Sequence, residues 1–187
     1  MGNKEKLIGF YNKYGIVVIL LGLLVVCSVI SPVFLSQANV VNLLSQIAVV
    51  TILTCGLTLL IIAGQTDLSG GAVVALTGCI CVGTYKNLAE GGMNGMLAGI
   101  LAVLAAVAVG MAVNFLSGVI VTQFHAPAFI VTLAMMKAGR GICYIYTGGT
   151  PIYNIGNISR LGQGRIQGIV PYSVLIMFLC IAVTWFV

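Results

Sequence analysis

Long apolar runs, separated by short breaks that contain glycine, proline or charged residues, dominate the chain. A membrane-spanning helix needs about 20 mostly apolar residues, and in lipid its backbone polar groups must be paired within the segment. The pattern therefore predicts an all-α, polytopic transmembrane helix bundle of about six spans. We place the spans at about residues 14–30, 40–63, 70–85, 96–121 and 128–146, with a sixth that starts near residue 172.

The sixth run is still apolar at Val187, with no basic flank and no turn residue to end it. We therefore expect residues 1–187 to form one transmembrane domain whose C-terminal part is missing. A glycine-rich break is predicted between the second and third spans.

Basic residues near the first span set the predicted orientation. Lys4, Lys6 and Lys13 precede it, and cytoplasmic flanks are enriched in Lys and Arg. No small-residue cleavage site follows, so we interpret the run as an uncleaved helix with a cytoplasmic N-terminus. Counting spans from there puts the turn at His125 inside and the loop at 147–171 outside, although that loop carries arginines against the charge rule.

Composition supports a membrane protein and excludes a soluble fold. Sixty per cent of the residues are hydrophobic and six per cent are charged, against about 25% charged in soluble domains. The eight Lys and Arg residues outnumber three acids but are scattered, so nucleic acid is not an expected partner. The six cysteines lie one by one in apolar runs, where thiols act as small hydrophobes, and we expect neither disulfides nor a metal site.

The break at residues 64–71 is the most informative segment, because it holds Asp67, the only acid besides Glu5 and Glu90. Irregular backbone at membrane depth is tolerated where protein buries it or water reaches it, and intramembrane carboxylates usually mark a pathway or a paired site. Asp67 is also placed to cap the third helix, with Ser69 beside it. A structural cap and hinge, and a direct contribution to a pathway, both remain open.

A polar line follows one face of the second span, at spacings that are multiples of four. Its members are Asn42, Gln46, Thr54 and Thr58. Such hydroxyls and amides can hydrogen-bond a passing polyol, or they can join helices to each other within a bundle. Both interpretations stay open.

The fourth span carries small residues at strict four-residue steps, namely Ala98, Ala102, Ala106, Gly110, Asn114 and Gly118. Small residues let helix backbones approach closely, so this face predicts packing rather than chemistry.

Two cations lie on one face of the fifth span, since Lys137, Arg140 and Tyr144 are spaced by three and four. Cations facing lipid are costly, so this face should look into the bundle or reach an interface. Asp67 is the only intramembrane acid that could pair with either cation.

Catalytic motifs are missing from the sequence. It contains no Gly-x-x-x-x-Gly-Lys-Ser/Thr phosphate loop, no Gly-x-Ser-x-Gly and no His-Glu-x-x-His. We expect no enzyme activity, no catalytic residue and no cofactor, and His125 is interpreted as an exposed loop residue.

Several motifs together resemble the ribose-type ABC sugar permeases. Residues 56–78 contain Asp67-Leu68-Ser69 followed by glycines, as in that family's Gly-Ile-Asp-Leu-Ser-x-Gly, although Gln65 and Thr66 replace the commoner Gly-Ile. Residues 128–151 are similar to its Phe-Ile-x-Thr-Leu, Arg-Gly and Tyr-Thr-x-Gly-x-Pro stretch, and residues 30–34 and 39–44 also fit.

The resemblance implies the membrane subunit of a monosaccharide importer in the bacterial plasma membrane. Two permease subunits would form the path, a cytoplasmic ATP-binding subunit would drive it, and an extracytoplasmic binding protein would deliver the sugar. The family's chains continue past the sixth span with a segment that meets the ATPase. Candidate path or gate residues are Asn42, Gln46, Thr54, Thr58, Asp67, Ser69 and Arg140, and candidate contacts with the binding protein are Arg160 and Arg165.

Other functions stay open at this point. Broken helices at mid-membrane are also a device of ATP-independent secondary transporters and of channels. A non-transporting scaffold, or a truncated and non-functional permease, would have the same composition.

Overall fold

The computed structural model describes residues 3–153, 158–159, 164–166 and 170–186, with the backbone alone for residues 3–13. Apolar helices make up most of this part of the chain, which confirms the predicted all-α membrane bundle. The helices are α1 Asn3–Ile30, α2 Gln37–Ile62, α3 Gly70–Glu90, α4 Gly95–Gln123, α5 Ala128–Thr147 and α6 Tyr172–Phe186. Among the residues described, α2 to α5 are long and apolar enough to cross a membrane, while 14–30 and α6 are shorter apolar helices.

Helix ends differ from the predicted bounds mainly where polar residues continue a helix. α3 ends at Glu90 rather than at Tyr85, and its last turn carries a Lys86–Glu90 pair with 3.8 Å between nitrogen and oxygen. An exposed pair at this spacing contributes only about 0.3–0.5 kcal/mol, so it accompanies the extension rather than causing it. α1 likewise begins at Asn3, because its polar N-terminal part continues the helix.

The chain divides into two compact units, residues 1–46 and 47–187. In the first unit, the turn between α1 and α2 is held by the side chain of Asn39, whose Nδ2 donates to the carbonyl of Phe34 at 2.7 Å. The Ser36 hydroxyl oxygen accepts from the Asn39 amide at 3.4 Å. That residues 1–187 form one domain stays a prediction.

In the second unit, α3 packs between α4 and α5. The short turn at 91–94 makes α3 and α4 antiparallel, and Tyr85 lies buried against Ala98 and Ala102, both fully buried. A Cβ at Gly110 would lie 3.2 Å from Thr77 Cγ2, so the two helices also approach closely further along. The N-terminal part of the α4 small-residue face therefore packs as predicted.

The packing of α5 on α3 is parallel and close. Gly139 lies against Ala72, where an added Cβ would be 3.6 Å from Ala72 Cβ. Further along both helices, the ring of Tyr146 fills the space beside Gly83, and an added Cβ there would be 2.8 Å from Tyr146 Cε1. Small residues on both helices thus allow α3 and α5 to pack closely along a shared seam.

A two-stranded antiparallel hairpin precedes α6, with β1 Arg165–Ile166 paired to β2 Val170–Pro171. The sequence predicted only a polar, glycine-rich loop here. Pro171 is fully buried, and the amide of Tyr172 donates to the Gly164 carbonyl at 3.0 Å. The hairpin therefore fixes where α6 begins.

Apolar side chains cover much of the helix surfaces. Val29 is 80% exposed, Ile62 76% and Trp185 86%. Such exposure is costly in water, whereas lipid is as apolar as these side chains. The surface therefore fits a bilayer.

Candidate functional site

The break between α2 and α3 begins with a tight C-terminal cap on α2. Gly64 has a left-handed backbone with φ of 73°, its amide donates to the Ile61 carbonyl at 2.9 Å, and the Gln65 amide donates to the Leu60 carbonyl at 2.9 Å. This pair of bonds is the Schellman motif, which favours glycine at the left-handed position. The predicted end of the second span at Gly64 is confirmed.

Asp67 holds the other side of the break through Ser69. Asp67 Oδ1 accepts from the Ser69 amide at 2.7 Å and from the Ser69 hydroxyl at 2.6 Å. Ser69 is fully buried and is itself the N-cap residue of α3, and its carbonyl accepts from the amides of Ala72 and Val73. The prediction that Asp67 caps α3 directly is wrong, because the carboxylate lies two residues before the helix and binds the cap residue instead.

One carboxylate oxygen remains after these two bonds. Asp67 is half-buried, and within the described residues Oδ2 has no hydrogen-bond donor from the protein. The carboxylate therefore fixes the break with one oxygen and keeps the other available.

The break also contacts the first turns of α5. Thr132 is buried, and its hydroxyl lies 2.8 Å from the Ala128 carbonyl and 3.3 Å from the Thr66 carbonyl. One hydroxyl proton serves mainly the nearer acceptor, so the Thr66 contact is the weaker of the two. Even so, it places α5 directly beside the irregular backbone.

A cavity of about 560 Å³ opens between the break, the second half of α2, the end of α4 and the start of α5. This volume lies in the range of small-molecule sites. Most of the wall is apolar, with a limited number of polar groups. The polar lining residues are Gln65, Thr66, Asp67, Ser69, Asn114, Ser117, Thr122 and Thr132.

The C-terminal half of α4 supplies polar groups that the sequence interpretation missed. Asn114, Ser117 and Thr122 line the cavity together with Gly118, although Asn114 and Gly118 belong to the face assigned to packing alone. Each of the three polar side chains donates to a carbonyl four residues earlier, at 3.0, 3.0 and 2.8 Å. Their oxygens remain able to accept further bonds. The usable signal was the change from alanine to polar residues along that face.

The predicted polar line on α2 is not part of this cavity wall. From α2 the cavity takes Leu53, Gly56, Leu57 and Leu60. The Thr54 and Thr58 hydroxyls donate to carbonyls four residues earlier, at 2.8 Å each, and both side chains are exposed. Asn42 and Gln46 are exposed within the first unit. A role for these four residues in a path stays a prediction.

The cations of α5 lie elsewhere. Arg140 lines a second cavity of about 570 Å³ with Tyr144, and Lys137 is exposed. Within the described residues, Lys86–Glu90 is the ion pair that forms, while Asp67 binds Ser69. The suggested pairing of Asp67 with Arg140 or Lys137 is therefore wrong in this conformation.

The remaining candidates lie outside the cavity. Arg165 is exposed on β1, and Arg160 falls outside the described residues. His125 is exposed in the turn after α4, with a positive φ of 52°, which agrees with a loop residue. In the described part of the chain, His, Cys, Asp and Glu form no group of three able to hold a metal.

Comparison with known proteins identifies transport relatives. The family described as "Branched-chain amino acid transport system / permease component" matches residues 39–187. The ribose import permease protein RbsC of Escherichia coli K12 is 36% identical over 175 residues, covering 89% of this chain and 51% of that protein. RbsC of Bacillus subtilis is 32% identical over 180 residues, covering 95% and 53%.

A more distant relative is named for the import of a different sugar. The galactose/methyl galactoside import permease protein MglC of Escherichia coli K12 is 28% identical over 172 residues, covering 88% of this chain and 51% of MglC. The chain thus spans about half the length of the relatives it matches. No solved structure matches it.

Proposed function

Because the chain belongs to the family of branched-chain amino acid transport system permease components, we propose that it is a membrane-spanning permease subunit of an ABC importer that carries a monosaccharide of the ribose type. It is a multi-pass protein of the bacterial inner membrane. The proposal of a sugar rests on the relatives named for ribose and galactose import.

The observation that carries the proposal is the cavity at the break. Its wall is mainly apolar, and its polar groups are hydroxyls, amides and the single carboxylate of Asp67. Neutral donors and acceptors suit a neutral polyol, which needs hydrogen bonds but no counter-charge. An amino acid carries a fixed ammonium and a fixed carboxylate, and the one charged side chain of this wall, Asp67, could pair only with the ammonium.

The path that we propose uses polar groups on both sides of the cavity. Asp67 and Ser69 contribute from the break, and Asn114 and Thr122 contribute from α4. The break acts as a hinge, since Gly64 turns the chain and Ser69 starts the next helix.

Partners follow from the same proposal. The sequence has no phosphate loop, so ATP hydrolysis would be supplied by a separate cytoplasmic subunit and the chain itself would not be an enzyme. An extracytoplasmic binding protein would deliver the sugar, with Arg165 on the hairpin and Arg160 as contacts on the external face. A second permease subunit would complete the proposed assembly by closing the path.

The experiment is sugar uptake in cells that lack the gene product containing this chain. We expect the deletion to reduce uptake of radiolabelled ribose, or of another monosaccharide in a panel with arabinose and galactose, and a plasmid copy to restore it. Leucine uptake serves as the matched control, because the description of the family names branched-chain amino acids. Loss of leucine uptake with unchanged sugar uptake would contradict the proposal.

The energy source separates an ABC importer from a secondary transporter or channel. Arsenate lowers cellular ATP, whereas a protonophore dissipates the ion gradient directly. We expect arsenate to abolish the plasmid-dependent uptake even when the membrane potential is maintained. Uptake that survives ATP depletion would favour the ATP-independent alternative, a secondary transporter if the protonophore then stops it and a channel if it does not.

A further inference from the structure

Two cysteines that are far apart in the sequence meet at the seam between α3 and α5. The sulfur atoms of Cys79 and Cys143 are 2.9 Å apart, and both residues are free thiols that are neither fully buried nor fully exposed. A disulfide bond is about 2.05 Å long, so closing this contact needs a movement of only about 0.9 Å.

The surrounding packing already holds the two helices together on both sides of the thiols. Gly139 lies against Ala72 toward the N-terminal ends, and Tyr146 lies against Gly83 toward the C-terminal ends. Because these contacts fix the spacing of the helices, a bond between the sulfurs would require little backbone rearrangement.

A reagent can reach the thiols from one side. Cys79 and Cys143 both line the second cavity, of about 570 Å³, whose wall also includes Gly78, Thr150 and Pro151. A cavity of this size admits a small organic disulfide.

We propose that Cys79 and Cys143 form a dithiol modification site that small organic disulfides oxidise to an intramolecular disulfide between α3 and α5. The thiolate of one cysteine attacks a small disulfide R–S–S–R, whose S–S bond breaks, giving a protein mixed disulfide and one thiol RSH after protonation. The second cysteine thiolate then attacks the protein sulfur of that mixed disulfide and displaces the second RSH. Two protein thiols are thereby oxidised and one small disulfide is reduced to two thiols.

The site goes beyond the proposed transport function and is independent of it. The disulfide would have a mechanical consequence, because it would fix α5 to α3, the helix that starts at the break. Sequence alone did not indicate it, because Cys79 and Cys143 lie 64 residues apart and meet only through the packing of α5 on α3.

The test uses the full chain in detergent, reduced and then treated with one equivalent of 2,2′-dithiodipyridine. We expect mass spectrometry of the digest to find the peptides of Cys79 and Cys143 joined, and the chain to take up two fewer maleimide groups afterwards. In Cys79→Ser, the link should disappear and Cys143 should keep a pyridyl mixed disulfide, which shows that the cavity is still reached.

Cys81→Ser is the matched control, because Cys81 lies on the same helix but packs against the Tyr85 cluster beside α4. The link between Cys79 and Cys143 should persist in this variant. Separate pyridyl adducts on Cys79 and Cys143 of the wild-type chain, or no reaction at either while other cysteines react, would overturn the proposal.

Discussion

Asp67 holds the break by accepting two hydrogen bonds from Ser69, and substitutions there have calculable effects. Asp67→Ala leaves the amide and hydroxyl of the fully buried Ser69 without their acceptor. An unsatisfied buried donor costs about 1–3 kcal/mol, although hydrogen bonds within membrane bundles average only about 0.6 kcal/mol in double-mutant cycles. Two unsatisfied donors would cost about 2–6 kcal/mol and two average bundle hydrogen bonds about 1.2 kcal/mol, so we expect Asp67→Ala to lower the free energy of unfolding by an intermediate amount, about 2–4 kcal/mol.

Asp67→Asn keeps an oxygen in the same place and removes the charge. It exchanges two charge-assisted bonds for neutral ones, so we expect a loss of about 1 kcal/mol. Ser69→Ala removes one donor and keeps the amide bond, and it should fall in the same range as Asp67→Asn.

The assay is unfolding of the purified chain in mixed micelles, titrated with sodium dodecyl sulfate and followed by circular dichroism. The order of stability should be wild type, then Asp67→Asn with Ser69→Ala, then Asp67→Ala. Equal stability of Asp67→Ala and the wild type would show that the two short bonds contribute nothing and would contradict this prediction. Sugar uptake by the Asn variant separates the roles: near-normal uptake supports a hinge, and poor uptake with normal insertion shows that the charge itself acts in the path.

Three further predictions concern packing, backbone and topology. Gly83→Ala puts a methyl group against the ring of Tyr146 and should destabilise the chain by about 1–3 kcal/mol, whereas Gly78→Ala on the same helix, where nothing lies within 4 Å, should be neutral or stabilising in the same unfolding assay. Gly64→Ala forces a side chain into a left-handed conformation and should cost about 1–2 kcal/mol, measured in the same way; an unchanged midpoint would contradict the cap geometry. A reporter fused at His125 should read cytoplasmic and one in the loop after α5 should read external, and the reverse result would overturn the predicted orientation.

The helices could be predicted from the sequence because the bilayer imposes both a length and an apolar composition on them. The end of α2 followed from Gly64, since glycine favours the left-handed cap. The start of α1 and the end of α3 were missed, because the polar residues that continue these helices carry no hydropathy signal. The hairpin at Arg165 was missed since its strands are only two residues long.

The site was only partly predictable, because it depends on which helices meet. Asp67 and Ser69 were found, since a carboxylate in a glycine-rich break stands out locally. One oxygen of Asp67 accepts from both the amide and the hydroxyl of Ser69. This arrangement depends on how the backbone folds at the break, and no pattern of residue spacing predicts it. Asn114 lies far along the chain, and only the packing of α4 brings it to the cavity. The contact between Cys79 and Cys143 is likewise a consequence of the parallel seam.

If the cavity at the break is part of the sugar's path, a side chain that fills it should block transport. Gly118 and Gly141 both have open space where a side chain would be added. Gly118 lines the cavity, whereas Gly141 on α5 is not among the residues of this cavity wall and serves as the control. The measurement is the initial rate of radiolabelled sugar uptake, normalised to the amount of protein in the membrane. We expect Gly118→Leu to lower the rate at least about tenfold, a barrier increase of about 1.4 kcal/mol, and Gly141→Leu to retain it. Wild-type uptake by Gly118→Leu at equal membrane levels would contradict the claim.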